Sequence, residues 1–375
     1  MNLGFRIYQE YSREDINKAG KLLGDVIPAE SDTEIAAEAF RIAYNWRDAH
    51  LLPMTAVRYE LIGLLKRSRA KAVTAARPKR MASIRRKLST RHRSTLKLSQ
   101  IQDLAGCRAI CKTEEDLSKI LLAYNSGQSK HAFKHIDYVT SPRLSGYRGH
   151  HLVVKFNDER FPEFKDFKVE VQVRSRLQHA WATAVEAVGL LTNENLKAGE
   201  GNTDWLKLFQ LMGSQIADLE GFPIVPGTSV SAVVRERQLK RLDEKLNAVS
   251  MLRVAHDGLK KAEEYVGDST REYYVLRYNS ENNTVSVGGV PTIAKGLELE
   301  HNSETSEGKV TSVFVQVDKV QNLKAAYPNY FMDVSDFTDL LENATGKAGA
   351  PPVESESVKI DWFSEFQAKR KRDKG

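Results

Sequence analysis

Glu170, Gln172 and Arg174 alternate with Val169, Val171 and Val173. Side chains on a strand alternate between faces, so the three polar groups share one face and the valines take the other, toward a core. A polar triplet on such a strand either meets water or binds something. The stretch just upstream favours binding. A loop opens at Asp137-Tyr138, runs through Pro142-Arg143-Leu144-Ser145-Gly146, and closes on Tyr147, His150 and His151. A tyrosine there can stack on a nucleobase, worth ~1–3 kcal/mol. Asp103 is the second acid of interest. Two carboxylates facing a polyphosphate, Asp103 and Glu170, are the hard oxygen ligands that Mg²⁺ prefers.

The cations that a polyphosphate needs lie in one block. Between Glu60 and Asp103 there is no acidic residue, and the interval holds thirteen Lys or Arg, from Lys66 to Lys97. The whole chain carries a net charge of +7, so the remainder is net acidic and the basic character is local. A solvated helical face would interleave Glu with Lys. An acid-free block suits phosphate, in a nucleotide or a nucleic-acid backbone. Within it, Pro78 keeps Arg77 extended, so Arg77 and Lys79 fall on a short strand or loop. Ser83 and Lys87 stand one turn apart on a helix face. Charge, a hydroxyl and free N–H groups at a helix start together make a triphosphate cradle. Arg108, on the apolar run after Asp103, adds a further cation. These pieces indicate nucleotidyl or phosphoryl transfer onto an acceptor that itself carries a base.

The elements that must position these groups follow from periodicity. Ser12 and Asp15 start a helix through about Leu23. A second helix, capped by Asp32, buries Ile35, Ala39, Ile42 and Trp46 and ends near His50. A third runs from Pro53 to Arg69. Ile101–Cys111 reads as a turn into a buried strand, and helices follow near Glu115–Tyr124 and Asn202–Leu219. Cys107 and Cys111 are the only cysteines, which suggests reduced core residues of a cytosolic protein. No run approaches the ~20 apolar residues of a membrane span. After a linker at Gly221–Gly227, a long charged helix is expected to Val266, with Leu239, Leu242, Leu246 and Val249 as its seam. A hairpin (Tyr273–Tyr278, Thr284–Val287), a helix (Pro291–Glu300), a strand (Lys309–Val317) and helices near Val320–Ala326 and Ser335–Asn343 make a small second α+β unit. Its only histidine is His301 and it has no cysteine, so a structural zinc is not expected. The tail ends in a short amphipathic segment and Lys369-Arg370-Lys371-Arg372.

Four motifs in order carry a resemblance: Arg77-x-Lys79 with Ser83 and Lys87; Asp103-Leu104-Ala105-Gly106-Cys107-Arg108; the Asp137–His151 loop; and Glu170-Val171-Gln172-Val173-Arg174-Ser175. Together they closely resemble the RelA/SpoT synthetase domain, over about residues 40–220. The resemblance implies an α+β fold: a mixed-sheet, nucleotidyltransferase-like synthetase domain flanked by helices. It also implies transfer of the β,γ-pyrophosphate of ATP to a ribose 3′-hydroxyl. Arg77, Lys79, Ser83, Lys87 and Arg108 would bind ATP, and Asp103 and Glu170 would hold Mg²⁺. Glu170 would take the hydroxyl proton. Tyr147 would stack on the acceptor base, with His151, Gln172 and Arg143 nearby.

Departures narrow the resemblance. Alarmone producers commonly carry K-D-Y-I before the loop and P-K-x-N-G-Y within it. Here the positions read Ile136-Asp137-Tyr138-Val139 and Pro142-Arg143-Leu144-Ser145-Gly146-Tyr147, which points away from a free guanosine acceptor. With Trp46-Arg47-x-x-His50 and Gln178-His179-Ala180-Trp181-Ala182, the chain looks like the toxic small alarmone synthetases. The run Leu323–Phe331 resembles the fused toxin–antitoxin CapRel type. That resemblance implies a pyrophosphokinase domain at 1–222, a helical linker at 223–268, a pseudo-zinc-finger antitoxin domain at 269–345 and a flexible tail at 346–375. It further implies that Tyr327 and Tyr330 block ATP, that a phage capsid protein releases the block, and that the acceptor is the 3′ CCA end of tRNA. A cytoplasmic monomer is expected. The alternative is an alarmone synthetase making (p)ppGpp or (p)ppApp from free nucleotides.

Overall fold

The computed structural model describes residues 6–26, 34–89, 95–192, 194–257, 273–279, 284–304, 310–317 and 334–347. Ser12 caps α1 (Arg13–Lys21), its hydroxyl accepting from the Asp15 amide at 3.1 Å. Helices α2 (Glu34–Asp48) and α3 (Leu51–Ser68) follow. Ala39, Ile42 and Trp46 from one and Val57, Leu61 and Leu64 from the other are buried in a common core. Ile35 is not: it stands 65% exposed on the first turn of α2, off the face that buries Ala36 and Ala39. His50 is structural, as its surroundings show. It is buried, its Nδ1 lies 2.8 Å from the Trp46 carbonyl, and burial pushes it down to about 4.

The core supports an eight-stranded sheet. Its strands are β1 (Ala72–Pro78), β2 (Ala105–Cys111), β3 (Ala132–Asp137), β4 (His150–Lys155), β5 (Lys168–Ser175), β6 (Tyr273–Asn279), β7 (Thr284–Val290) and β8 (Val310–Val317). The order is β3-β4-β5-β2-β1-β8-β6-β7. The β2–β5 pair is parallel and the other pairings are antiparallel, so the sheet is mixed. Val169, Val171 and Val173 enter the core with Cys107 and Cys111, whose thiols burial pushes up to about 12.

Helix α4 (Met81–Leu88) follows β1, and α5 (Glu114–Ala123) lies between β2 and β3. On leaving β5 the chain enters α6 (Arg176–Leu191) at once, started by a reciprocal cap. The Gln178 amide donates to Ser175 Oγ at 3.1 Å, and the Ser175 amide donates to Gln178 Oε1 at 3.3 Å. Helix α7 (Thr203–Glu220) packs on α6 and α8 (Ala232–Leu246). The expected long helix to Val266 is broken. Asn247 adopts a left-handed φ of 53°, and α9 (Ala248–Asp257) starts afresh with the Val249 amide donating to Asp243 Oδ1 at 2.8 Å.

The C-terminal strands do not stand apart. Val317 and Gln316 of β8 pair with Ala75 and Ala76 of β1, so β6–β8 extend the same sheet. Helix α10 (Ile293–Glu304) packs on β6, β7 and β8. Helix α11 (Ser335–Thr345) leaves that group and packs on α6, α8 and α9, with Phe337 and Leu341 in a second core beside Trp205, Leu208 and Phe209.

Candidate active site

Cross-strand register assembles the site. Arg77 of β1 stands opposite Gly106 of β2, and Gly106 stands beside Glu170 of β5. One row further on, Arg108 lies beside Gln172, and Gln172 lies opposite His151 of β4. Directly paired residues share a face. The sheet therefore presents Arg77 and Arg108 on one side of the polar face and Glu170, Gln172 and His151 on the other. Gly106 leaves bare floor between Arg77 and Glu170.

On the acceptor side the polar groups close into a ring. His151 Nδ1 lies 3.1 Å from Glu170 Oε2, and Gln172 Nε2 donates to Glu170 Oε1 at 2.6 Å. Arg174 Nη2 donates to Gln172 Oε1 at 2.9 Å and to the Tyr147 hydroxyl at 2.8 Å. That hydroxyl lies 2.5 Å from His151 Nε2. The ionised carboxylate only accepts, so Nδ1 carries the proton. Burial alone would raise Glu170, but the hydrogen bond and charge of His151 outweigh it and hold the carboxyl below its usual range. Glu170 is thus an ionised base with a histidine already bonded behind it.

The loop that delivers Tyr147 is built to fit. Asp137 Oδ1 accepts from the Val139 and Thr140 amides at 2.7 and 3.0 Å, which opens the turn. Gly146 takes φ +97°, and a Cβ there would sit 2.7 Å from the Phe209 carbonyl. Arg148, buried, donates to the carbonyls of Val139 at 2.7 Å, Gly213 at 3.3 Å and Pro223, pinning the loop to α7. Tyr147 meets Trp181 edge-on with centroids 6.1 Å apart. Arg143 is exposed on the loop, its guanidinium 4.5 Å from the Tyr138 ring centroid.

On the donor side Lys79 Nζ lies 2.8 Å from Asp103 Oδ2, and Lys87 Nζ lies 3.0 and 2.8 Å from the two Asp103 oxygens. Burial would raise Asp103, but both lysines outweigh it and hold the carboxyl well below its usual range. Burial pulls Lys79 down to about 8 against the opposing charge of Asp103. Ser83 lies on the first turn of α4, one turn ahead of Lys87. The structure therefore brings together Arg77, Lys79, Ser83, Lys87, Asp103, Arg108, Tyr147, His151, Glu170 and Gln172, with Arg143 at the rim. Tyr327 and Tyr330 lie outside the described residues.

The donor set suits Mg²⁺. Asp103 opposes the ionisation of Glu170, so the two carboxylates feel each other's charge. Mg²⁺ is held by one or two carboxylates plus substrate phosphates and water, and needs no larger protein cluster.

Arg174, the third polar residue of the strand, fastens Tyr147 to Gln172. Two further site residues carried no motif. Glu186 of α6 and Lys197, on the turn after it, form an ion pair of 2.5 Å. Periodicity gives no signal for that pair.

The centre thus laid out joins two lysines held on one carboxylate, Asp103, to a bonded ring of Tyr147, His151, Glu170, Gln172 and Arg174. Residues 76–190 match the family described as "Region found in RelA / SpoT proteins", a narrower span than the expected 40–220. GTP pyrophosphokinase YjbM of Bacillus subtilis is 27% identical over 120 residues, 32% of this chain and 57% of that protein. The bifunctional (p)ppGpp synthase/hydrolase RelA of Mycobacterium tuberculosis is 32% identical over 136 residues, 36% of this chain and 17% of that protein. The chain thus spans less than two thirds of either relative. Among solved structures, small alarmone synthetase 1 of Bacillus subtilis bound to its product pppGpp aligns with a TM-score of 0.38 at 24% identity, covering 46% of this chain and 92% of that one. No helix among the described residues is long and apolar enough to cross a membrane.

Proposed function

We propose that the chain is an ATP-dependent pyrophosphotransferase whose centre lies at 77–186. The observation that carries this reading is the placing of Glu170. Its carboxylate bonds His151, which in turn meets Tyr147, and it feels the charge of Asp103, which holds Lys79 and Lys87. In the proposed step an acceptor ribose 3′-oxygen attacks the β-phosphorus of ATP. The bond between that phosphorus and the oxygen bridging to the α-phosphate breaks, and AMP leaves with the bond's electron pair. Glu170 takes the hydroxyl proton, and His151 holds Glu170 in place. Arg77, Lys79, Lys87 and Arg108 neutralise the phosphates and Ser83 binds them, while Tyr147 aligns the acceptor base. Asp103 and Glu170 would hold Mg²⁺, which would supply charge neutralisation on the transferring group.

The acceptor in this reading is the 3′ CCA end of tRNA, and its modification blocks translation. Supporting it is the surplus of exposed cations in the acid-free block, more than one ATP requires: Arg86 lies on α4 with Ser83 and Lys87, while Lys66, Arg67, Arg69 and Lys71 precede the far end of β1. The C-terminal part is proposed to restrain this toxin as a pseudo-zinc-finger-like antitoxin through Tyr327 and Tyr330, with a phage capsid protein as the releasing partner in the cytoplasm. Two docking contacts support a restraint: β8 on β1, next to Arg77, and α11 on α6, where Arg176 Nε donates to Asp336 Oδ2 at 2.6 Å. A second reading, synthesis of (p)ppGpp or (p)ppApp on free nucleotides, is favoured by the names of the relatives.

The test is incubation with γ-³²P-ATP, tRNA, GTP, GDP and unlabelled ATP as competing acceptors. Both the full chain and its Tyr327→Ala/Tyr330→Ala form are assayed. Label on tRNA supports the toxin reading. Label confined to nucleotides replaces it with the alarmone reading.

A further inference from the structure

We propose that Lys197 is a phosphate ligand of the donor site, held in readiness by Glu186. This rests on the reading of the site as a polyphosphate cradle. Lys197 lies beyond the RelA/SpoT region, on the turn Leu196–Ala198. Two contacts fix that turn. Asn195 Oδ1 accepts from Arg86 on α4 at 3.1 Å, and Asn195 Nδ2 donates to Glu200 at 2.7 Å. The turn is thus tied to the helix that carries Ser83 and Lys87. From there Lys197 Nζ reaches Glu186 Oε1 at 2.5 Å. The Glu186 side chain is only 16% exposed, while that of Lys197 is 64% exposed. The carboxylate is sunk, and the Lys197 side chain lies mostly exposed with its ammonium on that carboxylate.

The surroundings of the pair are cationic. Burial would raise Glu186, but Lys197, Arg77 and Arg108 outweigh it and keep it ionised. Lys197 in turn adds to the positive field at Lys79. One carboxylate therefore stands among Lys197, Arg77 and Arg108, two of which the site reading gives to ATP. A buried carboxylate with cations converging on it occupies the chemical place of a phosphate oxygen. On ATP binding the ammonium of Lys197 turns from Glu186 to the polyphosphate. Glu186 is a positioning residue: it balances the cationic cluster before ATP binds and aims Lys197.

The experiment measures binding of a non-hydrolysable ATP analogue to the full chain by calorimetry, in the unaltered and Tyr327→Ala/Tyr330→Ala backgrounds, together with KM for each substrate. Lys197→Ala weakens the analogue about tenfold, the worth of one charge-assisted contact, and leaves the acceptor KM unchanged. Lys197→Arg restores most of the loss. Glu186→Gln tightens the analogue several-fold, because the competing carboxylate charge is gone. Analogue binding within twofold of the parent in Lys197→Ala, or weaker binding in Glu186→Gln, overturns the proposal. No binding in either background overturns the donor-site reading beneath it.

Discussion

Arg47 and Glu300, 253 residues apart in sequence, meet at 3.1 Å with both side chains wholly buried. Arg47 also pairs with Asp48 at 2.7 Å and reaches the Lys79 carbonyl at 3.4 Å. One guanidinium thus joins α10 to the residue that binds Asp103. Glu300→Ala removes one of the partners of a buried cation that keeps Asp48, at a cost of ~1–3 kcal/mol to the docked state. Hydrogen exchange should quicken in α10, β8 and β1 while α5 stays protected. A uniform change across the chain would mean that the pair serves global stability alone.

Tyr147 has two separable duties. Tyr147→Phe keeps the ring but removes the oxygen between Arg174 and His151. The expected result is an acceptor KM near that of the unaltered chain, with kcat lowered about tenfold through loosened positioning of Glu170. Tyr147→Ala removes the stacking face and raises acceptor KM by the equivalent of ~1–3 kcal/mol. Equal KM losses in both variants would place the hydroxyl, not the ring, on the acceptor.

Lys79 titrates at about 8 in the folded chain against ~10.4 when free. Between these values the unfolded chain holds more protons. The group's unfavourable contribution to stability is therefore full below about pH 8 and fades as pH rises through the window. ATP binds the charged form, so affinity for an ATP analogue should decline above about pH 8 and that decline should vanish in Lys79→Met. A flat profile in the unaltered chain contradicts the role given to Lys79.

Arg148 is a structural pin, not an acceptor ligand. Arg148→Ala leaves the carbonyls of Val139, Gly213 and Pro223 without this donor and should cost ~3 kcal/mol of stability. Arg148→Lys should recover little, since an ammonium lacks the planar fork. Thermal unfolding reads both.

Much of the donor and acceptor chemistry was legible because it is local. Strand parity placed Glu170, Gln172 and Arg174 on one face, and the acid-free block announced a phosphate partner. What joins distant segments was not legible. Nothing in the spacing of Arg47 and Glu300, Lys197 and Glu186, or Ala75 and Val317 says that they meet, because long-range pairing leaves no period. Asn247 did carry a stop signal, a residue tolerant of the left-handed region, but the leucine seam running through it masked the break.

Attack at the β-phosphorus defines pyrophosphate transfer, and the nucleotide left behind reports which phosphorus was attacked. With ATP, Mg²⁺ and the mixed acceptors, the Tyr327→Ala/Tyr330→Ala chain should release AMP in equal amount to the pyrophosphate gained by the acceptor. Glu170→Gln in the same chain should lower that release about a thousandfold without changing the unfolding midpoint. Release of ADP in place of AMP, or AMP formation that survives Glu170→Gln, would contradict this mechanism.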